Sequence, residues 1–163
     1  MEFKQLTETD GNGIREMSGL ATGIVRDYYD PIIGKAQNDY MLDRFQSVAG
    51  ITDQLRHGYR YYFVREDGRD IGFLAFYPRE DHMYLSKLYL RGEERGKGRA
   101  REILDFVAGK AREEGLSAIE LNVNKRNPTV RIYEKLGFRI KRAEKNDIGS
   151  GFYMDDYVFR LEW

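Results

Sequence analysis

Apolar residues in the first part of the chain recur at helical spacing after one short strand. Residues 2–7 predict the strand, and a helical region follows from about Asp10 to Phe45, with breaks expected at Pro31 and Gly34. Residues 51–57 predict one more short helix. The N-terminal part of the protein is therefore expected to be mostly helical.

The spacing of apolar residues then changes to a period of two. Three runs of aromatic and branched residues predict strands at 59–65, 71–77 and 82–90. Asp67-Gly68 lies between the first two runs and is typical of a hairpin turn, and a second turn is expected at Pro78–Asp81. Three consecutive strands joined in this way form an antiparallel meander.

Helices and strands alternate in the second half of the chain. One helix has apolar residues at helical spacing between Ile103 and Ala111 and is expected to end at Gly115. The other predicted elements are a strand at 117–123, a helix capped by Asn127 with Pro128 at its first position, and strands at 138–142 and 152–161 separated by residues 146–149, with a turn at Gly149–Gly151.

These elements predict one domain that covers residues 1–163, because no repeat and no Gly-, Pro- or Ser-rich linker divides the chain. The expected fold class is α/β of the α+β type. We expect a single mixed, mostly antiparallel central sheet with helices on both faces.

The composition excludes several classes of protein. The 163 residues are 41% hydrophobic, and 27 basic residues balance 27 acidic ones, so nucleic acid and membrane surfaces are disfavoured as partners. Cysteine is absent, which argues against disulfides and conventional zinc sites, and no metal is expected. Without a signal-like N-terminus or a long apolar run, we expect a cytoplasmic protein.

Charge is nevertheless distributed unevenly along the chain. Residues 87–102 carry six basic and three acidic side chains, and residues 125–142 carry seven basic and one acidic. Residues 1–30 and 144–163 have the opposite excess, with six acids against three bases and five against two. An anionic ligand is expected to bind the middle of the chain and a cationic one the ends, although solvated faces of amphipathic elements would give the same counts.

Residues 88–100 predict a strand that leads through a glycine-bearing loop into a helix. The first turn of a helix has unpaired backbone N–H groups and a partial positive charge, and Gly96 and Gly98 would let a phosphate approach them. The segment lacks the third glycine of a dinucleotide fingerprint and does not match a P-loop. An anion site and an ordinary turn are both compatible with these residues alone.

A second polar segment joins the next predicted strand to the helix after it. This segment is basic, contains Asn127 and leads into Tyr133–Phe138. If both loops meet at one edge of the sheet, their basic residues can bind the same phosphorylated ligand. Tyr133 would then supply an acid with an ordinary pKa of about 10, although a core tyrosine would have the same spacing.

Taken together, the two segments resemble the GNAT superfamily of acyl-CoA-dependent N-acetyltransferases. Arg95-x-x-Gly98-x-Ala100 is similar to the family's Gln/Arg-x-x-Gly-x-Gly/Ala pyrophosphate loop, and Asn127 with Tyr133–Phe138 is similar to its second motif. The resemblance covers roughly residues 59–142. The bacterial polyamine acetyltransferases, of the spermidine and spermine type, look like the nearer relatives.

The resemblance implies an activity and a set of residues. An acetyl group would pass from acetyl-CoA to a primary amine of a small, cationic acceptor by direct attack in a ternary complex, and a homodimer is a reasonable expectation. Tyr133 would protonate the departing thiolate, and a backbone N–H of the third meander strand would stabilise the oxyanion. The residues implied to bind acetyl-CoA are Leu88, Tyr89, Leu90, Arg95, Gly96, Lys97, Gly98, Arg99, Ala100, Asn127, Tyr133 and Lys135.

The base that deprotonates the amine is not identified by the sequence. Many family members have a glutamate on the third meander strand, but residues 82–92 contain no acid. His82 is expected at the surface, beside a turn, and Asp155 and Asp156 should face opposite sides of the last strand. These three residues and a water relay all stay open.

The missing glutamate also leaves a second function open. The chain could bind CoA without turnover and act as a regulatory or sensor module. A third function, nucleic-acid binding through the basic stretch, would require affinity that falls steeply with salt, and the zero net charge argues against it.

Overall fold

The computed structural model describes every residue from Met1 to Trp163 and contains seven strands. Their bounds are β1 Glu2–Leu6, β2 Arg60–Glu66, β3 Arg69–Arg79, β4 His82–Leu90, β5 Ala118–Asn124, β6 Arg139–Gly149 and β7 Phe152–Glu162. They form one sheet in the order β1-β2-β3-β4-β5-β7-β6. β4 and β5 are parallel, whereas β1/β2, β2/β3, β5/β7 and β6/β7 are antiparallel. The predicted mixed, mostly antiparallel sheet is confirmed.

Five α-helices accompany the sheet. They are α1 Gly11–Ile33, α2 Lys35–Met41, α3 Val48–Arg56, α4 Arg99–Glu113 and α5 Val130–Lys135. A π-helical segment, Leu42–Gln46, joins α2 to the residues before α3, and a 3₁₀ turn, Gly92–Glu94, follows β4. None of the five combines the length and the apolarity that crossing a membrane requires.

The long N-terminal helix confirms one of the two predicted breaks. The break at Gly34 is correct, because Gly34 has a φ of 88°, which ends α1. The break at Pro31 is wrong, since α1 continues through it to Ile33. Proline removes only one backbone donor, and here that loss falls in the last turn, where it interrupts little of the helix.

The turns between β2 and β3 and between β6 and β7 can be compared with the sequence predictions. Asp67 and Gly68 both have positive φ, 52° and 75°, as a two-residue hairpin turn requires. The separation of the last two strands at 146–149 is wrong, because β6 continues to Gly149. The turn expected at Gly149–Gly151 is confirmed, since the chain reverses at Ser150-Gly151. β6 is a mostly exposed edge strand with two register irregularities, so its polar residues are compatible with a strand.

The start of α5 also differs from the prediction. The helix begins at Val130, and Pro128 lies in the turn before it rather than in its first position. The Asn127 Oδ1 atom does accept hydrogen bonds from the Thr129 N–H and Oγ1, at 2.9 and 2.8 Å. Asn127 therefore orders the turn that leads into α5, two residues earlier than a helix cap would.

The chain groups into two compact units. The first unit comprises Met1–Tyr77 and Lys87–Lys97, and the second comprises Pro78–Ser86 and Gly98–Trp163. That residues 1–163 act as a single domain stays a prediction.

The first unit has its own hydrophobic core, formed by α1 and neighbouring elements. Apolar residues of α1 recur every three or four positions and are buried, as an amphipathic helix requires. The members of this core are Leu6, Ile14, Met17, Leu20, Ala21, Ile24, Val25, Leu42, Ile51, Tyr61, Phe63, Phe73 and Ala75. Tyr89, on the second half of β4, packs against the same core.

The second unit buries one face of α4 together with the middle of β5 and β7. The predicted helical face is correct, since Ile103, Val107 and Ala111 are fully buried. The C-terminal Trp163 is 41% exposed, and the Arg112 guanidinium lies 4.8 Å from its ring centroid. Asn127 and Tyr133 follow β5 in the second unit. The fold of this unit therefore positions the second predicted motif.

Candidate functional site

The loop between β4 and α4 has the backbone conformation that the first motif predicts. Gly96 and Gly98 both have a φ of 75°, in the left-handed region that favours glycine. A Cβ atom built on either glycine would meet no other heavy atom within 4 Å. The backbone around both glycines is therefore open to a ligand.

The amino end of α4 has no side-chain cap. Gly98 occupies the cap position, and no side-chain hydrogen bond is made there. Arg99 and Ala100 are the first two residues of this 15-residue helix. Uncapped N–H groups, the helix dipole and a basic first residue together favour an anion at this end.

In the first unit, Arg95 contacts the strand that precedes the loop. Its Nη2 donates to the Leu90 carbonyl at 3.0 Å, and its guanidinium lies 4.1 Å from the Tyr28 ring centroid. Lys97 lies 3.6 Å from the Glu94 carboxylate. The structure thus brings the motif's first arginine together with the end of β4, where it holds the strand and the loop in place.

Two of the other implied cofactor residues on β4 are partly covered. The Tyr89 ring packs edge-on against Tyr29, with centroids 5.6 Å apart, and lies 5.1 Å from Phe73. Leu90 is 9% exposed. The side chains of Tyr89 and Leu90 therefore pack within the first unit, and the backbone at this end of β4 is the part suited to pairing with an extended ligand.

In the second unit, the residues of the second motif occupy different environments. Asn127 is buried, with its Oδ1 engaged by Thr129. Tyr133 is half-buried, with its ring centroid 5.6 Å from that of Phe138 and 6.1 Å from that of Phe159. Lys135, the last residue of α5, is exposed.

Asp155 and Asp156 face opposite sides of β7, as alternation predicts. The Asp155 side chain is half exposed and lies 3.1 Å from the Lys125 ammonium. Asp156 is buried and accepts a hydrogen bond of 3.3 Å from the Asn122 amide. Burial raises the pKa of Asp156 to about 6.

Sequence reasoning missed the two side chains that support Asp156. The Tyr84 hydroxyl donates to the Asn122 Oδ1 at 2.8 Å, and the Asn122 amide donates to Asp156. This chain of three side chains crosses β4, β5 and β7. No sequence spacing connects these positions, because only the strand order brings them together.

The surface position expected for His82 is wrong. The residue is buried at the start of β4, with its Nδ1 3.0 Å from the Asp81 carboxylate and its Nε2 3.6 Å from that of Glu120. Arg160 binds both of these carboxylates, at 3.0 and 2.6 Å, and its hydrogen bond holds the pKa of Asp81 well below its usual range. His82 thus belongs to a compact ionic cluster.

One further residue, Lys87, differs from the prediction. It was included in the basic excess of residues 87–102, yet it is only 6% exposed. Its burial lowers the pKa of its ammonium group to about 7. The alternation of Met83, Leu85 and Lys87 along β4 is a signal that could have placed this lysine on a buried face.

A comparison with known protein families identifies the family of this chain. The sequence profile of the Acetyltransferase (GNAT) family matches residues 23–138, which is more than half of the chain. The protein belongs to the GNAT family. The predicted family is thereby confirmed.

Relatives and solved structures agree with the family assignment. Uncharacterized N-acetyltransferases of Mycobacterium tuberculosis and Mycobacterium bovis are 33% identical over 101 residues, which cover 61% of this chain and 64% of theirs. The fold is similar to PaiA N-acetyltransferase from Thermoplasma acidophilum in complex with coenzyme A, with a TM-score of 0.79 and 16% identity over the whole of both chains.

A polyamine enzyme is also among the similar folds. The spermidine N-acetyltransferase SpeG chimera from Vibrio cholerae and hSSAT has a TM-score of 0.70 and 17% identity over 99% of this chain and 96% of that one. At such identities, the likeness shows a shared GNAT fold.

Proposed function

We propose that this GNAT protein transfers the acetyl group of acetyl-CoA to a primary amine of a small, cationic acceptor, by direct attack in a ternary complex. The observation that carries the proposal is the uncapped amino end of α4 behind two left-handed glycines, in a chain of the GNAT family. The complex of the similar PaiA fold with coenzyme A supports the choice of co-substrate.

The pyrophosphate of acetyl-CoA would be held by backbone N–H groups of residues 96–100. The open space at Gly96 and Gly98 fits this role, because a phosphate must approach these amides closely. The side chains of Lys97 and Arg99 add positive charge. Arg95 has a different role in the proposal: its contacts with Leu90 and Tyr28 fix the loop.

The pantetheine arm would pair with the backbone of Leu88–Leu90, as an added strand does. Asn127 would bind acetyl-CoA through the turn that it orders, and Lys135 would contact it from the end of α5. A backbone N–H of β4 would stabilise the oxyanion that forms when the amine attacks the thioester. Acetyl-CoA supplies the activated acyl group in this scheme.

Tyr133 would act as the general acid that protonates the departing thiolate. Its ring contacts with Phe138 and Phe159 restrict the side chain, which keeps the hydroxyl in one place. Fixing the donor in this way reduces the entropy that is lost when the proton is transferred.

Among the candidate bases, the contacts favour Asp156. His82 pairs with Ala118 at the start of β5, and Asp156 pairs with Asn124 at its end. The two candidate bases are therefore separated along the sheet by six residues of β5, about 20 Å. Asn127 and Tyr133 follow the Asp156 end of β5. Asp155 is paired with Lys125, whereas Asp156 has a pKa near neutrality, as a general base requires.

A cationic acceptor is supported by two facing carboxylates in the β6–β7 hairpin. Asp156 lies opposite Glu144 in the register of the two strands. The similar SpeG chimera is a spermidine N-acetyltransferase, which fits an acceptor with several ammonium groups. Polyamines are therefore the first acceptors to test.

The experiment measures thiol release from acetyl-CoA against polyamines, amino acids, aminoglycosides and peptides. We expect turnover with polyamines to exceed that with neutral amines. Turnover with other amines alone would contradict the polyamine acceptor. Binding of CoA by calorimetry, with no turnover of any amine, would instead support the regulatory or sensor module.

A further inference from the structure

Lys87 carries a buried ammonium group that the proposed chemistry does not use. It lies on β4 directly before Leu88 and is 6% exposed. Burial of a lysine is costly because the ammonium loses its hydration, and an apolar side chain of similar length would avoid this cost. The position of this residue therefore calls for a specific explanation.

Every hydrogen-bond partner of the Lys87 ammonium is an oxygen of an uncharged group. The Nζ atom lies 3.1 Å from the Phe45 carbonyl, 3.2 Å from the Gln46 Oε1 and 2.8 Å from the Gln54 Oε1, and it also contacts the Tyr61 hydroxyl. The Tyr61 hydroxyl in turn donates to Gln54. Lys87 is the centre of a polar network inside the first unit.

This network binds the π-helical segment Leu42–Gln46 to β4. Two of its four oxygens belong to Phe45 and Gln46, the last two residues of that segment. The Gln54 amide of α3 donates to the same Phe45 carbonyl at 3.0 Å. A π-helix leaves backbone carbonyls out of the usual helical pattern, and here Lys87 and Gln54 provide the donors.

The two elements that Lys87 joins have different expected roles. β4 contains the backbone proposed to pair with acetyl-CoA. Leu42–Gln46 continues the N-terminal helical region, which we assign to the acceptor side because the acidic excess of residues 1–30 suits a cationic acceptor. Directional hydrogen bonds favour one arrangement of the elements that they join, whereas a uniform apolar contact tolerates several arrangements.

We propose that Lys87 is a positioning residue for the acceptor amine, which acts by fixing the π-helical segment Leu42–Gln46 against β4. The proposal rests on the acetyltransferase function proposed above. Lys87 does not contact the reacting atoms in this scheme. Its loss frees the acceptor-side segment and leaves the phosphate-binding loop unchanged.

The test compares Lys87→Met with Lys4→Met, which makes the same change on the exposed strand β1 of the same unit. For Lys87→Met, we expect amide hydrogen exchange in residues 42–50 to become at least about tenfold faster. The acceptor KM should rise about tenfold while the Kd for CoA changes by less than about twofold. Lys4→Met should match the wild-type protein in all three measurements.

Several outcomes would overturn the proposal. Unchanged exchange in residues 42–50 would show that Lys87 does not hold the segment, and an equal rise of the acceptor KM and the CoA Kd would show general damage. If Lys87→Met does not fold, Tyr61→Phe removes one oxygen of the network and keeps the ring. Unchanged exchange and acceptor KM in Tyr61→Phe would then overturn it. A wild-type protein without turnover contradicts the proposed function, and hydrogen exchange still tests the attachment of the segment.

Discussion

Tyr133 has the clearest single-residue role in the proposed reaction. Tyr133→Phe removes the hydroxyl and keeps the ring that packs against Phe138 and Phe159. We expect kcat to fall at least about a hundredfold, since a general acid contributes that much or more. The Kd for CoA, measured by calorimetry, should stay close to the wild-type value. Unchanged turnover would remove Tyr133 from the mechanism.

Asp156 should control the acidic side of the pH profile. A base with a pKa of about 6 must lose its proton to work, so kcat/KM should rise as the pH passes through that value. Asp156→Asn should lower turnover and abolish this rise. The separate increase in rate at higher pH, where the acceptor amine loses its own proton, should remain. Asp105→Asn, an exposed change on α4, serves as the control. A loss confined to Asp155→Asn would transfer the role to that residue.

Single residues also show where sequence reasoning fails. His82 was expected at the surface because a turn precedes it, but Asp81, Glu120 and Arg160 surround it through contacts that only the fold creates. Lys87 looked like one more basic residue of a phosphate patch, although its position in the alternation of β4 indicated burial. Charge counts cannot separate a ligand-binding cation from one that is used internally.

At the scale of elements, the glycines at the two ends of α4 allow a matched pair of substitutions. Gly98 before the helix and Gly115 after it have φ values of 75° and 73°, and both have open space where a Cβ would be. Gly98→Ala and Gly115→Ala should each cost about 1 kcal/mol of stability, measured by denaturant unfolding, because both force alanine into the left-handed region.

Only Gly98→Ala should weaken binding of acetyl-CoA. The added methyl group would occupy the space through which a phosphate approaches the amides, so we expect the Kd to rise about tenfold or more, whereas Gly115→Ala should change it little. Equal affinity in the two variants would place the pyrophosphate elsewhere.

Elements with strong local signals were predicted from sequence, and one with weak signals was not. The meander followed from aromatic runs and from Asp67-Gly68, and β4 has the predicted bounds His82–Leu90. The expected separation of the last two strands at 146–149 is wrong, because the polar residues in the second half of β6 look like a loop when the sheet edge on which they lie is unknown. The glycine loop was found because its chemistry depends on consecutive residues, whereas Tyr84, Asn122 and Asp156 meet only across strands.

For the whole molecule, two buried charges predict an unusual dependence of stability on pH. Burial raises the pKa of Asp156 from 3.8 to about 6, so its contribution to the free energy of unfolding falls as the pH rises through that window. Burial lowers the pKa of Lys87 from 10.5 to about 7, so its contribution rises with pH between these values. Both groups are charged between about pH 6 and 7, where their combined effect on stability is least favourable.

Denaturant unfolding at a series of pH values checks this prediction. The wild-type protein should gain stability from pH 7 towards pH 10, and Lys87→Met should lose that gain. Asp156→Asn should remove the fall between about pH 4 and 6. A Lys87→Met curve with the wild-type slope above pH 7 would show that the lysine keeps an ordinary pKa in the folded protein.

Trp163 provides an optical label for one of the two compact units. It is the only tryptophan of the chain, it belongs to the unit that contains Gly98–Trp163, and the Arg112 guanidinium lies over its ring. Its fluorescence therefore reports on that unit alone, whereas far-ultraviolet circular dichroism reports on the helices and strands of both. Coincident unfolding curves from the two signals would mean that the units melt as one cooperative body. Curves that separate would mean that each unit has a stability of its own.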